Sequence, residues 1–165
     1  MTIYIRDIQL AQKGDTAAFS RLYGEVYKEL YRTAYFSLRC SVHDAEDVVS
    51  ETALEAFETI HKLRKPEAFR SWIFTILSRK IKKKQKAFYS QEVEEHIPTE
   101  DFSYASSELK QIIASLSDTD RSILCLTVLG GYTSDEVGVM FGMKPSAIRS
   151  RLTRMKAQLR AELME

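Results

Sequence analysis

GMKPSAIRSRL (residues 142–152) decides how this chain is read. Its glycine is a helix stop, its proline suits the first position of a new helix, and arginines line the residues after it. Just upstream, Thr133 with Glu136 has the spacing of a capping box, and Tyr132 with Val137 that of a hydrophobic staple. A helix of about two turns, a tight glycine turn and a longer helix over residues 145–163 form a helix-turn-helix pattern. The stretch is therefore either a helical hairpin with a charged outer face or a reading head for DNA.

The wheel of the last helix favours the second. At about 100° per residue, Ile148, Leu152, Met155 and Leu159 fall on one buried stripe. The opposite side presents Ser146, Ala147, Arg149, Ser150, Thr153 and Arg154. Small side chains let a helix sink into a major groove, and arginine bonds guanine edges or phosphates. Six basic residues and no acid lie between positions 144 and 160. Lys144 stands at the expected N-cap, where a cation opposes the helix dipole and a phosphate would satisfy both it and the free amides. Arg151, at the edge of the buried stripe, can face DNA or pair with Glu136.

Outward from the hairpin, Ser117 with Asp120 predicts another capped helix, ended by Gly130–Gly131. Before it, residues 89–107 lack helical periodicity, carry Pro98 and are rich in acids, and so predict a flexible linker. The formal net charge of +1 hides this asymmetry. Residues 1–90 hold 16 basic and 11 acidic side chains, residues 91–109 six acidic and no basic ones, and residues 110–165 eight basic and six acidic. Two basic blocks joined by an acidic strap predict two all-α modules, residues 1–88 and 108–165, with anionic partners.

The first module predicts four helices: a short one over residues 3–12, a second capped by Asp15, a third over about 44–63 and a fourth from about residue 67, opened by Pro66. In the third, Asp44, Asp47, Glu51, Glu55 and Glu58 are spaced 3, 4, 4 and 3 apart, which puts all five carboxylates on one face. Val48 and Leu54 flank them as apolar, partly exposed shoulders. Like charges at this spacing repel, so the ridge predicts a docking surface for a basic protein. The fourth helix buries Phe69, Trp72, Ile73, Ile76 and Leu77. Its outer face carries Ser71, Thr75, Ser78, Arg79 and Lys82 and runs into RKIKKKQK (residues 79–86), whose Lys80, Lys83, Lys84 and Lys86 continue a track suited to phosphates. Phe74, at the border, is placed to stack on an unpaired base.

Other classes find little support. There is no P-loop, no GxSxG and no paired histidine with a placed acid, so no enzyme and no cofactor is expected. Cys40 with His43 makes half a metal site without a second half. Two cysteines far apart, an N-terminus with charge where a signal peptide would be apolar, and no apolar run near about 18 residues predict a cytoplasmic protein with reduced thiols and no membrane insertion.

The parts resemble the extracytoplasmic-function (group IV) sigma factors of bacterial RNA polymerase. AQKGDTAAFSRLYGEVYKELYRTAY (residues 11–35) resembles their region 2.1, HDAEDVVSETALEAFETIHKL (43–63) region 2.2, PEAFRSWIFTILSRKIKKKQK (66–86) regions 2.3 and 2.4, and residues 116–160 region 4. The resemblance implies that the acidic stripe, with Val48 and Leu54, docks the clamp helices of the polymerase β′ subunit, and that the second module meets the β flap. It implies that the fourth helix captures and helps melt the minus-10 element, that the last helix reads minus-35, and that the acidic linker threads the RNA-exit path. Such a factor is a monomer when free, directs promoter choice and is usually held by an anti-sigma protein. Arg79, Lys83 and Lys84 depart from the family pattern, which implies more reliance on phosphate contacts. The competing readings are a conventional helix-turn-helix repressor or activator, which gives the stripe no task, and an adaptor, which gives the hairpin none.

Overall fold

The computed structural model describes residues 2–89 and 107–163, with side chains over 4–87 and 108–163; residues 90–106, most of the expected linker, lie outside the described residues. Eight α-helices are found there, and no strand. The first module holds α1 (Thr2–Gln12), α2 (Thr16–Ser37), α3 (Val42–Thr59) and α4 (Phe69–Tyr89), and the second α5 (Ser107–Ser115), α6 (Asp118–Val128), α7 (Ser134–Phe141) and α8 (Pro145–Leu163).

Caps set the boundaries. Asp15 accepts from the Ala18 amide at 3.0 Å and opens α2. Between α2 and α3 the chain reverses through Arg39 and Cys40, both at positive φ (58° and 61°), and Ser41 then caps α3 by accepting from the Asp44 amide. Helix α3 therefore starts two residues before the position expected from Asp44. It gives way to a 3-10 turn over Ile60–Lys62, and Pro66 opens a second 3-10 turn before α4. Helix α5 adds a helix to those delimited from the capping residues.

The core of the first module is the inner stripe of α2 (Ala18, Leu22, Val26, Leu30, Ala34) against Ala45, Val49 and Ala56 of α3 and Phe69, Ile73 and Leu77 of α4. Along one side of α2, Phe19, Tyr23, Tyr27, Tyr31 and Tyr35 form a ladder of rings at successive centroid distances of 6.2, 5.6, 6.1 and 6.3 Å. Four-residue spacing places each ring over the next.

The second module packs onto the first. Gly130, Tyr132 and Arg121 meet α4 and the end of α2. The Arg70 guanidinium donates to the Gly130 carbonyl at 2.6 Å, and the Tyr132 hydroxyl donates to the Arg70 carbonyl at 3.1 Å. Arg121 is fully buried. It donates to the carbonyls of Ile113, Ala114 and Leu116, which caps the end of α5, and to Ser37 of α2; Asp118, at 2.6 Å, supplies the counter-charge. Gln85 of α4 donates to the same Ser37 carbonyl and to the Ser122 hydroxyl. A buried guanidinium is tolerated because every face of it is hydrogen-bonded.

Candidate nucleic-acid and protein interfaces

The hairpin of α7 and α8 has the geometry its sequence called for. Thr133 accepts from the Glu136 amide at 3.2 Å and donates its hydroxyl proton to the Glu136 carboxylate. Gly142 adopts the left-handed conformation (φ 64°). The Met143 amide then donates to the Gly138 carbonyl at 2.9 Å and the Gly142 amide to Val139, the paired bonds of a Schellman ending. A Cβ at Gly138 would lie 2.6 Å from the Met143 carbonyl oxygen, so the turn folds against a bare backbone. This glycine fixes how tightly the two helices approach.

Helix α8 buries Ile148, Leu152 and Met155 and leaves Lys144, Ser146, Arg149, Ser150, Thr153 and Arg154 on its outer side, with Ala147 half-buried between them. Ordered small and cationic groups thus face outward on one side. The Lys144 carbonyl accepts from the Ala147 and Ile148 amides, as an N-cap position should. Arg151 does not pair with Glu136: its guanidinium holds Asp120 at 2.7 Å, tying α8 to α6. Asp120 is consequently engaged, and the expected box with Ser117 is half made, with only the Ser117 hydroxyl accepting from the Asp120 amide.

In α3 and α4 the expected surfaces need correction. The acidic stripe is not an open ridge along its whole length. Its seam lies against α4, where Lys80 reaches Glu55 at 3.0 Å, Arg79 reaches Glu55 at 3.4 Å, and Lys84 reaches Asp47 at 3.3 Å and Asp44 at 3.7 Å. Asp44 is buried, and so is Val48, expected as a partly exposed shoulder: it packs in the core because α2 and α4 close over the flank of α3 that a wheel shows as border. Leu54, by contrast, is 62% exposed, near Glu51 and Glu58 on the same helix. The Lys80 ammonium beside it holds the Glu55 carboxyl below the usual carboxylate range, with Arg79 assisting against the opposing effect of burial.

Phe74, expected at the border of α4, and Ser78, expected on its outer face, are both buried. Phe74 packs on Tyr132 at 5.1 Å, under the Arg70 guanidinium, and Ser78 turns its hydroxyl back to the Phe74 carbonyl. The reason is tertiary: the second module sits on that flank. Thr75, Arg79 and Lys86 remain exposed, Ser71 is half-buried, and Lys82 lies 4.4 Å over the Phe141 ring of α7. Trp72 is partly buried against the core.

A helix-turn-helix with a cationic outer face thus stands beside a helical module that presents both acidic and basic seams. Residues 22–87 match the Sigma-70 region 2 family and residues 106–159 the Sigma-70, region 4 family, so the chain belongs to the sigma-70 family, in its extracytoplasmic-function branch. Over 96% of its length it is 25% identical to the ECF RNA polymerase sigma factor SigW of Bacillus subtilis, covering 95% of that protein. It is 27% identical over 89% of its length to the ECF sigma factor SigE of Mycolicibacterium smegmatis, covering 63% of it. Among solved structures, CnrH in complex with the cytosolic domain of CnrY has a TM-score of 0.72 at 21% identity, over 98% of this chain and 97% of that one. RpoE in complex with the anti-sigma factor NepR, from Bartonella quintana, has a TM-score of 0.67 at 20% identity, over 87% and 97%. The family consists of transcription initiation factors that give RNA polymerase its promoter choice.

Proposed function

We propose that the chain docks core RNA polymerase through the open part of the α3 face, with Glu51, Leu54 and Glu58 meeting the β′ clamp helices, and that the second module meets the β flap. The observation that carries this is Leu54, a large apolar side chain 62% exposed beside two carboxylates. An apolar anchor ringed by charge is the composition of a steered, partly desolvated interface. The module boundaries read from charge, 1–88 and 108–165, belong to the same proposal.

Helix α8 enters the minus-35 major groove with Ser146, Ala147, Arg149, Ser150, Thr153 and Arg154, while Lys144 takes a phosphate at its start and Arg151 positions the helix through Asp120. Helix α4 meets the minus-10 element through Thr75, Arg79, Lys80, Lys82, Lys83, Lys84 and Lys86. Phe74 reaches no base while Tyr132 covers it, so minus-10 capture through that ring requires the modules to part. An anti-sigma partner is part of the reading, in line with the bound partner of RpoE. No helix among the described residues is long and apolar enough to cross a membrane. A place in the cytoplasm, where promoter DNA lies, belongs to the same proposal.

The test is a titration of labelled protein into purified core polymerase beside the Glu51→Lys, Leu54→Asp double variant. Tight binding lost in the variant, with helicity unchanged, supports the docking face. Absence of binding by the unaltered chain, with autonomous binding to a DNA site instead, would overturn it in favour of a conventional repressor.

A further inference from the structure

Two surfaces with different tasks share their charges. Of the five carboxylates in the α3 stripe, Asp44, Asp47 and Glu55 already hold cations of α4, and those cations, Arg79, Lys80 and Lys84, stand in the run assigned to phosphates. Glu51 and Glu58 of the same face form no ion pair among the described residues, and neither do Lys83 and Lys86 of the run. The stripe is thus divided into an open set that can receive a basic partner and a sealed set that already has one.

We propose that the α3–α4 seam is an exchangeable ion-pair clasp that couples the two sites: a basic partner on α3 draws Glu55 and Asp47 away from Lys80, Arg79 and Lys84 and releases those cations to DNA phosphates. The proposal rests on the reading that α3 docks polymerase and α4 meets DNA, and deepens it by naming how one event prepares the other. Linkage makes the effect reciprocal: phosphate bound on α4 frees the carboxylates and raises affinity for the basic partner by the same factor. The geometry suits exchange rather than permanent locking. The Lys80 and Glu55 side chains are 26% and 28% exposed, partly in water, so the pair is strong enough to compete yet open to a competitor. Glu55 also holds two cations at once, so drawing it off releases both. The clasp gives a task to a departure from the family pattern: Lys84 is the residue that reaches Asp47 and Asp44.

The clasp is tested without polymerase, by fluorescence anisotropy of the full-length chain on a labelled single-stranded oligonucleotide. Glu55→Gln and Asp47→Asn are compared with Glu51→Gln and Glu58→Gln. All four remove one negative charge from the same helix face, and only the first two break pairs with α4. Release of the cations predicts affinity gains about three- to fivefold larger for Glu55→Gln and Asp47→Asn than for the two controls. Equal gains across the four would mean that only the long-range field changed, and would overturn the clasp. DNA binding undetectable in every variant at low salt would overturn it too, since the freed cations would then take no phosphate. The polymerase titration above is independent: a chain that docks polymerase yet shows equal gains keeps the docking face and loses the clasp, and the converse result does the opposite.

Discussion

The Tyr132 hydroxyl donates to the Arg70 carbonyl at 3.1 Å across 62 residues of chain, and the Arg70 side chain returns to the Gly130 carbonyl two residues before that tyrosine. The two residues close a reciprocal pair of hydrogen bonds between the modules, with the Phe74 ring beneath both. Tyr132→Phe keeps the ring and loses one bond, so an expected loss of about 0.5–1.5 kcal/mol separates the polar contribution. Tyr132→Ala also empties the space over Phe74 and should cost about 3–5 kcal/mol, read from urea midpoints at constant slope.

Arg121→Met should be among the most damaging single changes. It leaves carbonyls of Ile113, Ala114, Leu116 and Ser37 without this donor and Asp118 without its buried cation. A loss of about 3–5 kcal/mol is expected, with Arg121→Lys failing to restore it because an ammonium cannot span the same fork. Denaturant unfolding of the three proteins measures both statements.

Two glycines in helices should respond in opposite directions to alanine. At Gly24 of α2 an added Cβ meets nothing within 4 Å, so Gly24→Ala should stabilise by about 0.5–1 kcal/mol through helix propensity alone. At Gly138 the same change places Cβ 2.6 Å from the Met143 carbonyl oxygen. Gly138→Ala should therefore destabilise despite its better propensity, and should weaken minus-35 binding by re-aiming α8. Thermal melts of the pair, with gel-shift titration of the second, decide it.

These particulars separate what the sequence discloses from what only packing decides. Helix α8 and its Gly142 turn are legible because capping, left-handed glycine and apolar spacing all act within a few residues. Arg149 and Arg154 are expected to face outward, and they do. Phe74, Ser78 and Val48 depart from expectation because their burial is imposed by other helices, and a wheel drawn for one helix assigns border and outer positions to water by default. Arg121 gives no signal at all. An arginine in a first-turn context reads as surface, and only the carbonyls of Ile113, Ala114, Leu116 and Ser37 converging on it explain its burial. The charge stripe is legible as a pattern, but its division into paired and open carboxylates depends on the register of α4 against α3.

Alkaline pH should weaken the fold through Cys125. Burial pushes its thiol from 9.0 up to about 12, against smaller opposing effects of Ser37 and Arg121. The unfolded chain releases the proton first, so this contribution is intact below pH about 9 and is lost as pH rises toward about 12. Stability measured by urea at successive pH values should fall through that window, and Cys125→Ala should lessen the slope by up to one proton. At pH about 8 the same thiol should resist alkylation until the protein unfolds.

Arginine-specific promoter contact is checked by Arg149→Ala. A bidentate base contact predicts a loss of about 1–3 kcal/mol at one promoter position and little at others, whereas a phosphate contact predicts a uniform loss across sequences. Binding to a set of single-base promoter variants discriminates the two.

The Arg121 guanidinium takes its partners from α5, from its own helix α6 and from α2, so the end of one module's first helix is finished by a group that also grips the other module. Neither half can melt while the other keeps its full set of bonds. Calorimetry should accordingly record one heat-absorption peak, with van't Hoff and calorimetric enthalpies in agreement, where two tethered domains would ordinarily give two.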